Sequence, residues 1–332
     1  MLGKSIVMYR TLAGQVVALD DRCAHRSFPL SRSKLDGDTI VCGYHGLRYN
    51  TQGDCIEVPS QTACPKGIGI KSYRTVECGS LIWIWMGDED AAGIQQVPHN
   101  AWLTAAEWEK SKGYFHLSAS YVRLHENLLD LTHLSFLHAT TLGSPDYARA
   151  PYEVELKKGY FALLRSVFPT TLPPVWGRPT GLNDCPTAAR IARSEFLSPA
   201  MHEVNVCYYD SALPESDRPT FRIRTAHLLT PETQTSMHYF LVHGRDFAQD
   251  DAEITRFMHE GLFAAFHEDV VGLAAQEEML ERAGEDLYEM SIAADAPAIA
   301  MRRYIKDRAE EETRSRDAKK ANLQEVRGVT GV

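Results

Sequence analysis

Short runs of alternating apolar and polar residues fill the first part of the chain. Ile6-Val-Met-Tyr-Arg10 and Gln15-Val-Val-Ala-Leu19 flank a turn through Ala13-Gly14 and predict a β-hairpin over 5–20. Thr39-Ile-Val-Cys42 predicts a short strand. Residues 47–50 and 54–57 predict a second hairpin, and 71–76 with 81–85 the strands that close a small all-β unit. The polar stretch Gly87-Asp-Glu-Asp-Ala-Ala-Gly93 reads as a boundary, dividing the chain into 1–90 and 91–332. Beyond it, 114–120 is strand-like. From Tyr121 to His138 the spacing of Val122, Leu124, Leu128, Leu131 and Phe136 gives a wide apolar sector, as expected for a buried helix. Residues 152–243 are mostly β in texture, interrupted at 169–186 by a Pro- and Gly-rich stretch that reads as a long loop. From Asp250 to Ala283 the period turns helical, and the charged tail from Lys306 reads as a frayed helix. The expected class is α+β: a small all-β domain, then a domain with an antiparallel sheet and helices.

Composition adds exclusions. A chain of 332 residues has room for about two domains, and 44% apolar with 24% charged residues is ordinary for a globular protein. A net charge of −9 argues against a nucleic-acid partner. No apolar run reaches the length of a membrane span and the N-terminus lacks a signal-peptide pattern, so the expected location is the cytoplasm, with no membrane partner.

Two stretches carry chemistry. The first is Asn127-Leu-Leu-Asp130-Leu-Thr-His133-Leu-Ser-Phe-Leu-His138, with two imidazoles, a carboxylate and an amide in one apolar run. Buried His and Asp are costly unless paired. A divalent metal would satisfy both imidazoles; a core helix whose polar groups bond to neighbours is the alternative. The second is Cys23-Ala-His25, then sixteen residues, then Cys42-Gly-Tyr-His45. Zinc takes such donor sets, but usually with Cys grouped with Cys and His with His. Here each arm carries one of each, which suits a Rieske [2Fe–2S] cluster, where two Cys hold one iron and two His the other. Cys55, Cys64, Cys78, Cys185 and Cys207 are left over, an odd number that reads as free thiols.

With Cys23/His25/Cys42/His45, the Asn127–His138 run, Leu228-Leu-Thr-Pro-Glu232 and Glu268-Asp269 together, nearly the whole chain resembles the oxygenase component of a Rieske non-heme iron oxygenase. It is closest to the single-chain group that includes vanillate O-demethylase and dicamba monooxygenase. The resemblance implies a Rieske [2Fe–2S] domain over 1–90 and a catalytic domain over 91–332. In the latter, His133, His138 and Asp269 would form a 2-His-1-carboxylate triad for mononuclear Fe(II). A spacing of five turns the two His about 140° apart on an ideal helix, so the helix is expected to be distorted between them, as by a π-type bulge. Asp130 would share a helix face with His133. By resemblance it would link His45 or His25 of one subunit to an iron-ligand His of its neighbour in a homotrimer; the alternative is that it only orients His133. Asn127 would lie near the iron without binding it. His227 matches a position that contacts substrate carboxylate in dicamba monooxygenase, although it could equally be a satisfied core histidine. Trp176, within Leu172–Trp176, is a second candidate substrate contact, and Met201–Tyr209, Phe257 and Leu262 are further sources of pocket residues. Family members carry an additional segment ahead of the first hairpin, so the chain is expected to start further upstream or to lack an edge strand.

The implied activity is a terminal oxygenase using O2 and electrons from NAD(P)H. These would arrive through a separate reductase, or through a ferredoxin, into a cluster whose His ligands raise its potential to roughly −150 to +300 mV. The small aromatic substrate would be monooxygenated by O- or N-demethylation or by hydroxylation. A ring cis-dihydroxylating dioxygenase is the second reading. A Rieske electron carrier is the third, disfavoured by the length of the chain and by the second metal motif.

Overall fold

The computed structural model describes residues 1–88, 97–98, 100–284 and 289–330, with side chains to 318. The chain divides into two compact units, Met1–Ala105 and Ala106–Val332. Most of the boundary stretch expected at 87–93, including position 90/91 itself, lies outside the described residues.

The first unit is built from short strands. β1 (Ile6–Arg10) and β2 (Val16–Asp20) form the expected hairpin. β3 (Lys34–Asp36), β4 (Thr39–Val41), β5 (Arg48–Tyr49) and β6 (Cys55–Glu57) form a four-stranded sheet in sequence order. β7 (Ser72–Tyr73) pairs with β2, while β8 (Thr75–Cys78) pairs with β9 (Leu81–Ile84). The core gathers Leu19, Leu30, Ile40, Leu47 and Tyr49 around Cys23 and Cys42, so the two thiols belong to the packed interior.

The second unit is one seven-stranded antiparallel sheet with helices. Its strands are β10 (Glu109–Leu117), β11 (Tyr152–Lys157), β12 (Tyr160–Val167), β13 (Ala188–Ser198), β14 (Met201–Asp210), β15 (Phe221–Pro231) and β16 (Met237–Arg245). The sheet order is β10-β16-β15-β14-β13-β12-β11. Because side chains alternate across a sheet, the register gathers Arg190 with Tyr208, Ser194 with Val204, Thr225 and His243, and His202 with His227. These residues are buried or half-buried, in a domain core that also takes in residues of α1 (Tyr121–Leu129), α2 (Pro174–Thr180) and α3 (Ala252–Ala283). Asp251 caps α3, accepting from the backbone N–H of Glu253 and Ile254 at 3.0 Å. α4 (Ala296–Thr330) follows, where a frayed helix was expected only from 306.

Two expectations change. The 169–186 stretch is not wholly loop: Pro174 opens α2, its missing N–H costing nothing in a first turn, and Gly181 closes it at φ +71°. The Tyr121–His138 run is not one bulged helix either. α1 stops at Leu129, Asp130 is extended at φ −105° and ψ 100°, and a 3₁₀ turn runs from Leu131 to Ser135. The Asp130 carboxylate accepts from the Thr132 N–H at 2.7 Å, a local bond that competes with helix continuation. Asp130 and His133 therefore do not share a helix face. Among the described residues no helix is long and apolar enough to cross a membrane.

Candidate metal centres and substrate cavity

In the first unit the two ligand arms are the same turn built twice. The Cys23 N–H donates to Phe28 O and its carbonyl accepts from Ser27; the Cys42 N–H donates to Leu47 O and its carbonyl accepts from Gly46, all at 2.8–3.0 Å. Ser27 and Gly46 both take positive φ, 57° and 75°, which tightens each loop. The thiols are buried at 1% and 3% exposure, whereas both imidazoles are exposed, with ring centroids 4.7 Å apart. Burial pushes the Cys42 thiol up, so a cation must compensate for its thiolate. The Tyr49 hydroxyl lies 3.1 Å from Cys23 Sγ and accepts from the Ala24 N–H at the same distance. A tetrahedral zinc site would draw all four donors within about 4 Å of one another. Among the described residues, the group of three or more donors that converges within 4.8 Å is a different one, in the second unit. Donors split into a buried sulfur pair and an exposed nitrogen pair fit a dinuclear cluster.

That converging group is His133, His138 and Asp269. The helix break at Asp130 achieves what a continuous helix could not, bringing the two imidazoles to a centroid distance of 5.1 Å. Asp269 Oδ1 lies 3.1 Å from His138 Nε2 and 3.7 Å from His133 Nε2, and accepts from Asn127 Nδ2 at 2.9 Å. Each imidazole uses its other nitrogen outward. His133 Nδ1–H donates to the Asp130 carbonyl, and His138 Nδ1–H to Glu268 Oε2 at 2.6 Å. Glu268 Oε2 also accepts from the Thr141 hydroxyl at 2.8 Å. With both Nδ1 atoms directed outward, both Nε2 atoms face Asp269, where a metal would take the place of the proton that His138 Nε2 shares with the carboxylate.

The electrostatics agree with this arrangement. Burial holds His133 below its ordinary pKa, so it is neutral. Burial also pulls His138 down, but the Asp269 and Glu268 carboxylates outweigh it and the net shift is upward. Burial would raise Asp269, yet His138, His133 and Asn127 keep its carboxyl below the usual range. Asn127 Oδ1 is buried with no partner among the described residues, an acceptor left over beside the triad. Two Nε2 lone pairs and one carboxylate on one face are the donor set of a facial-triad iron.

This group forms one end of a cavity with about 550 Å³ of empty space, its mouth included. The walls are mostly apolar: Leu128, Leu131, Leu134, Leu142, Val204, Val206, Ile223, Leu262 and Phe266, with Trp176. The polar wall residues are Asn127, Arg190, Thr225 and His227 besides the triad. Trp176, His227 and Leu262 line the cavity; Phe257 is not among the lining residues. His227 bonds through Nδ1 to the Tyr239 hydroxyl, and burial pushes its pKa down to about 3, so it is a neutral group. Arg190, Thr225 and the orienting role of Glu268 were missed from the sequence. The only signal for Glu268 was its place beside Asp269.

Residues 1–74 match the Rieske [2Fe-2S] domain, and residues 117–311 match the vanillate O-demethylase oxygenase C-terminal domain. The chain is 33% identical to the toluene-4-sulfonate monooxygenase system iron-sulfur subunit of Comamonas testosteroni, over 93% of this chain and 90% of that one. It is 30% identical to a vanillate O-demethylase oxygenase subunit of a Pseudomonas species, over 91% and 86%. Among solved structures, dicamba monooxygenase bound to 3,6-dichlorosalicylic acid superposes with a TM-score of 0.87 at 26% identity, covering 93% of this chain and 91% of that one. The twin cluster arms, the triad and these matches make one statement: the chain belongs to the Rieske non-heme iron oxygenases, as an oxygenase component with a vanillate O-demethylase-type C-terminal domain.

Proposed function

We propose that this chain is the terminal oxygenase of a multicomponent monooxygenase acting on an aromatic acid, by O- or N-demethylation or by hydroxylation. The observation that carries the reading is the convergence of His133, His138 and Asp269 at one end of a mostly apolar cavity. Cys23, Cys42, His25 and His45 would hold the cluster, and the triad would hold a ferrous ion. Loaded, the two centres supply electron storage and O2 activation. The chain's own residues do the rest. Glu268 and the Asp130 carbonyl aim the two imidazoles, Asn127 holds the Asp269 carboxylate, and the apolar walls exclude water from the reacting carbon. Catalytic roles for Asn127 and Asp130 are part of this reading. The exposed imidazoles of His25 and His45 and the half-buried Asp130 support an intersubunit electron path in a homotrimer. NAD(P)H-derived electrons would enter through a separate reductase, directly or by a ferredoxin.

The test is formaldehyde release from a panel of methoxylated and N-methylated aromatic acids, with a reconstituted reductase. His133→Ala should abolish turnover and leave the reddish cluster spectrum intact; turnover surviving in that variant contradicts the iron assignment. Products made without formaldehyde across the panel mean hydroxylation, and cis-diols mean the dioxygenase reading.

A further inference from the structure

Arg190 is a charged residue in the wrong kind of place. It is 3% exposed, lines the cavity, and has no carboxylate within salt-bridge distance among the described residues. Of its five N–H donors one is engaged, Nη1 to the Leu142 carbonyl at 2.7 Å, and Nε has no partner among the described residues. Its guanidinium lies 4.5 Å from the Tyr147 ring centroid and 6.0 Å from that of Trp176. The other two buried arginines are spent on the chain itself: Arg245 donates to the carbonyls of Phe247, Ala248 and Asp251 and to Thr255 Oγ1, and the more deeply buried one is Arg165. It donates to the carbonyls of Tyr147, Ala148 and Ala150 and to Thr132 Oγ1, and it does not line the cavity. Nε is without a partner in both Arg165 and Arg190 among the described residues, but Arg165 fastens a loop through both terminal nitrogens, whereas Arg190 makes one bond and borders the cavity.

The surroundings repeat the pattern. The hydroxyls of Tyr147 and Tyr208 are buried without partners among the described residues, and Tyr208 stacks on Trp176 at 5.5 Å. Arg190 pairs across the strands with Tyr208. Arg190 thus brings a cation to the cavity wall, with the unpartnered hydroxyls of Tyr147 and Tyr208 packed behind that wall, while the carboxylate among the lining residues, Asp269, belongs to the triad. A buried cation without a counter-charge costs several kcal/mol, an imbalance that an incoming anion removes.

We propose that Arg190 is a substrate-binding residue: its guanidinium, beside Trp176, receives the anionic group of an aromatic acid, carboxylate or sulfonate, and so sets which end of the substrate faces the triad. This rests on the aromatic-acid reading above and names the group that selects for the acid. A planar two-pronged donor suits either anion, and Trp176 offers an aromatic face for the ring.

The test is equilibrium binding to the iron-loaded, cluster-containing protein, read by calorimetry. The probes are 4-methoxybenzoate, toluene-4-sulfonate and their uncharged counterparts 4-methoxybenzamide and toluene-4-sulfonamide. The wild type should bind the anions about 10- to 100-fold more tightly than the amides, the range for a buried charge-assisted hydrogen bond. Arg190→Gln should abolish that ratio while amide affinity stays within about threefold, and Arg190→Lys should restore part of it. The two anion arms show which acid is preferred. Equal anion and amide affinity in the wild type overturns the proposal without any variant, so misfolding of Arg190→Gln cannot shelter it; an anion preference that survives in a folded Arg190→Gln also overturns it. Turnover separates this proposal from the functional reading. Arg190-dependent anion binding without oxygenated product from any aromatic acid leaves the anion site standing and defeats the oxygenase assignment. Oxidation of the neutral amides at rates equal to the acids does the reverse.

Discussion

Gly143→Ala is a small change with a large expected consequence. Gly143 closes the loop that leaves His138, its N–H donating to the His138 carbonyl at 2.9 Å, a carbonyl that also accepts from Thr141 and Leu142. A methyl group built on Gly143 would lie 1.6 Å from the Leu134 carbonyl oxygen, 2.6 Å from its carbon and 3.1 Å from the His138 oxygen. All three are backbone atoms of the segment carrying the triad imidazoles, so no side-chain rotation relieves the clash. Restoring a 3.0 Å contact requires the two strands of the loop to part by about 1.4 Å. Metal sites tolerate about ±0.2 Å in ligand distance, and a displacement of about 1 Å near the chemistry can cost about 100-fold in rate. The variant should therefore lose mononuclear iron and at least about 100-fold in turnover, with an overpacking cost of about 1–3 kcal/mol. The Rieske cluster lies in the Met1–Ala105 unit and provides an internal control: its visible and paramagnetic spectra should not change. Iron per labile sulfide and reductase-coupled turnover measure the effect. Gly272→Ala is the matched control, since its methyl would meet only the Leu137 side chain at 3.5 Å, an ordinary contact, one turn beyond Asp269 on α3. Gly143→Ala with a full iron complement and wild-type rate would refute the steric reasoning, and so would equal losses in the two variants.

Other expectations follow from the same geometry. Glu268→Gln keeps an acceptor for His138 Nδ1–H but loses the charge, and Glu268→Ala loses both; Fe(II) titration of iron-stripped protein should show weakening of about 10-fold and about 100-fold respectively. Tyr49→Phe removes the hydroxyl beside Cys23 Sγ, so redox titration should find a lower cluster potential, and an unchanged value would mean that the contact does not reach the thiolate. Burial lowers His125 to about 4 and His202 further, so both are neutral when folded and protonate more readily when unfolded. Their contribution is complete above about pH 6.5 and is lost as the pH falls toward 4, roughly 3 kcal/mol for His125 alone. Denaturant melts of the second unit should thus weaken already between about pH 6.5 and pH 5, before most carboxylates titrate, and a flat profile there would contradict the buried neutral pair.

The sequence determined the donors and the pairing of local strands. Cys23, His25, Cys42 and His45 stand close together in sequence, each arm a self-contained turn, so local spacing carries the cluster chemistry. The hairpins are legible for the same reason: β1–β2 and β5–β6 are set by nearby turn residues and period-two alternation. His133 and His138 stood out as candidate ligands by resemblance, but not the geometry that joins them. Apolar periodicity continues through Asp130, while the carboxylate's bond to the Thr132 N–H ends the helix, and periodicity does not register that competition. Only the tertiary structure decided the rest. Arg190, Thr225, His227 and Trp176 come from three strands or helices far apart in sequence, and their meeting depends on strand register and on the elements that enclose the cavity. Glu268 looks like any helical acid until His138 is placed against it, and Gly143 like any loop glycine until the Leu134 carbonyl fills the space a side chain would need. Ligand identity is a property of single residues, readable one at a time. The shape and charge of a cavity belong to residues brought together by long-range packing, and no local stretch of the chain encodes them.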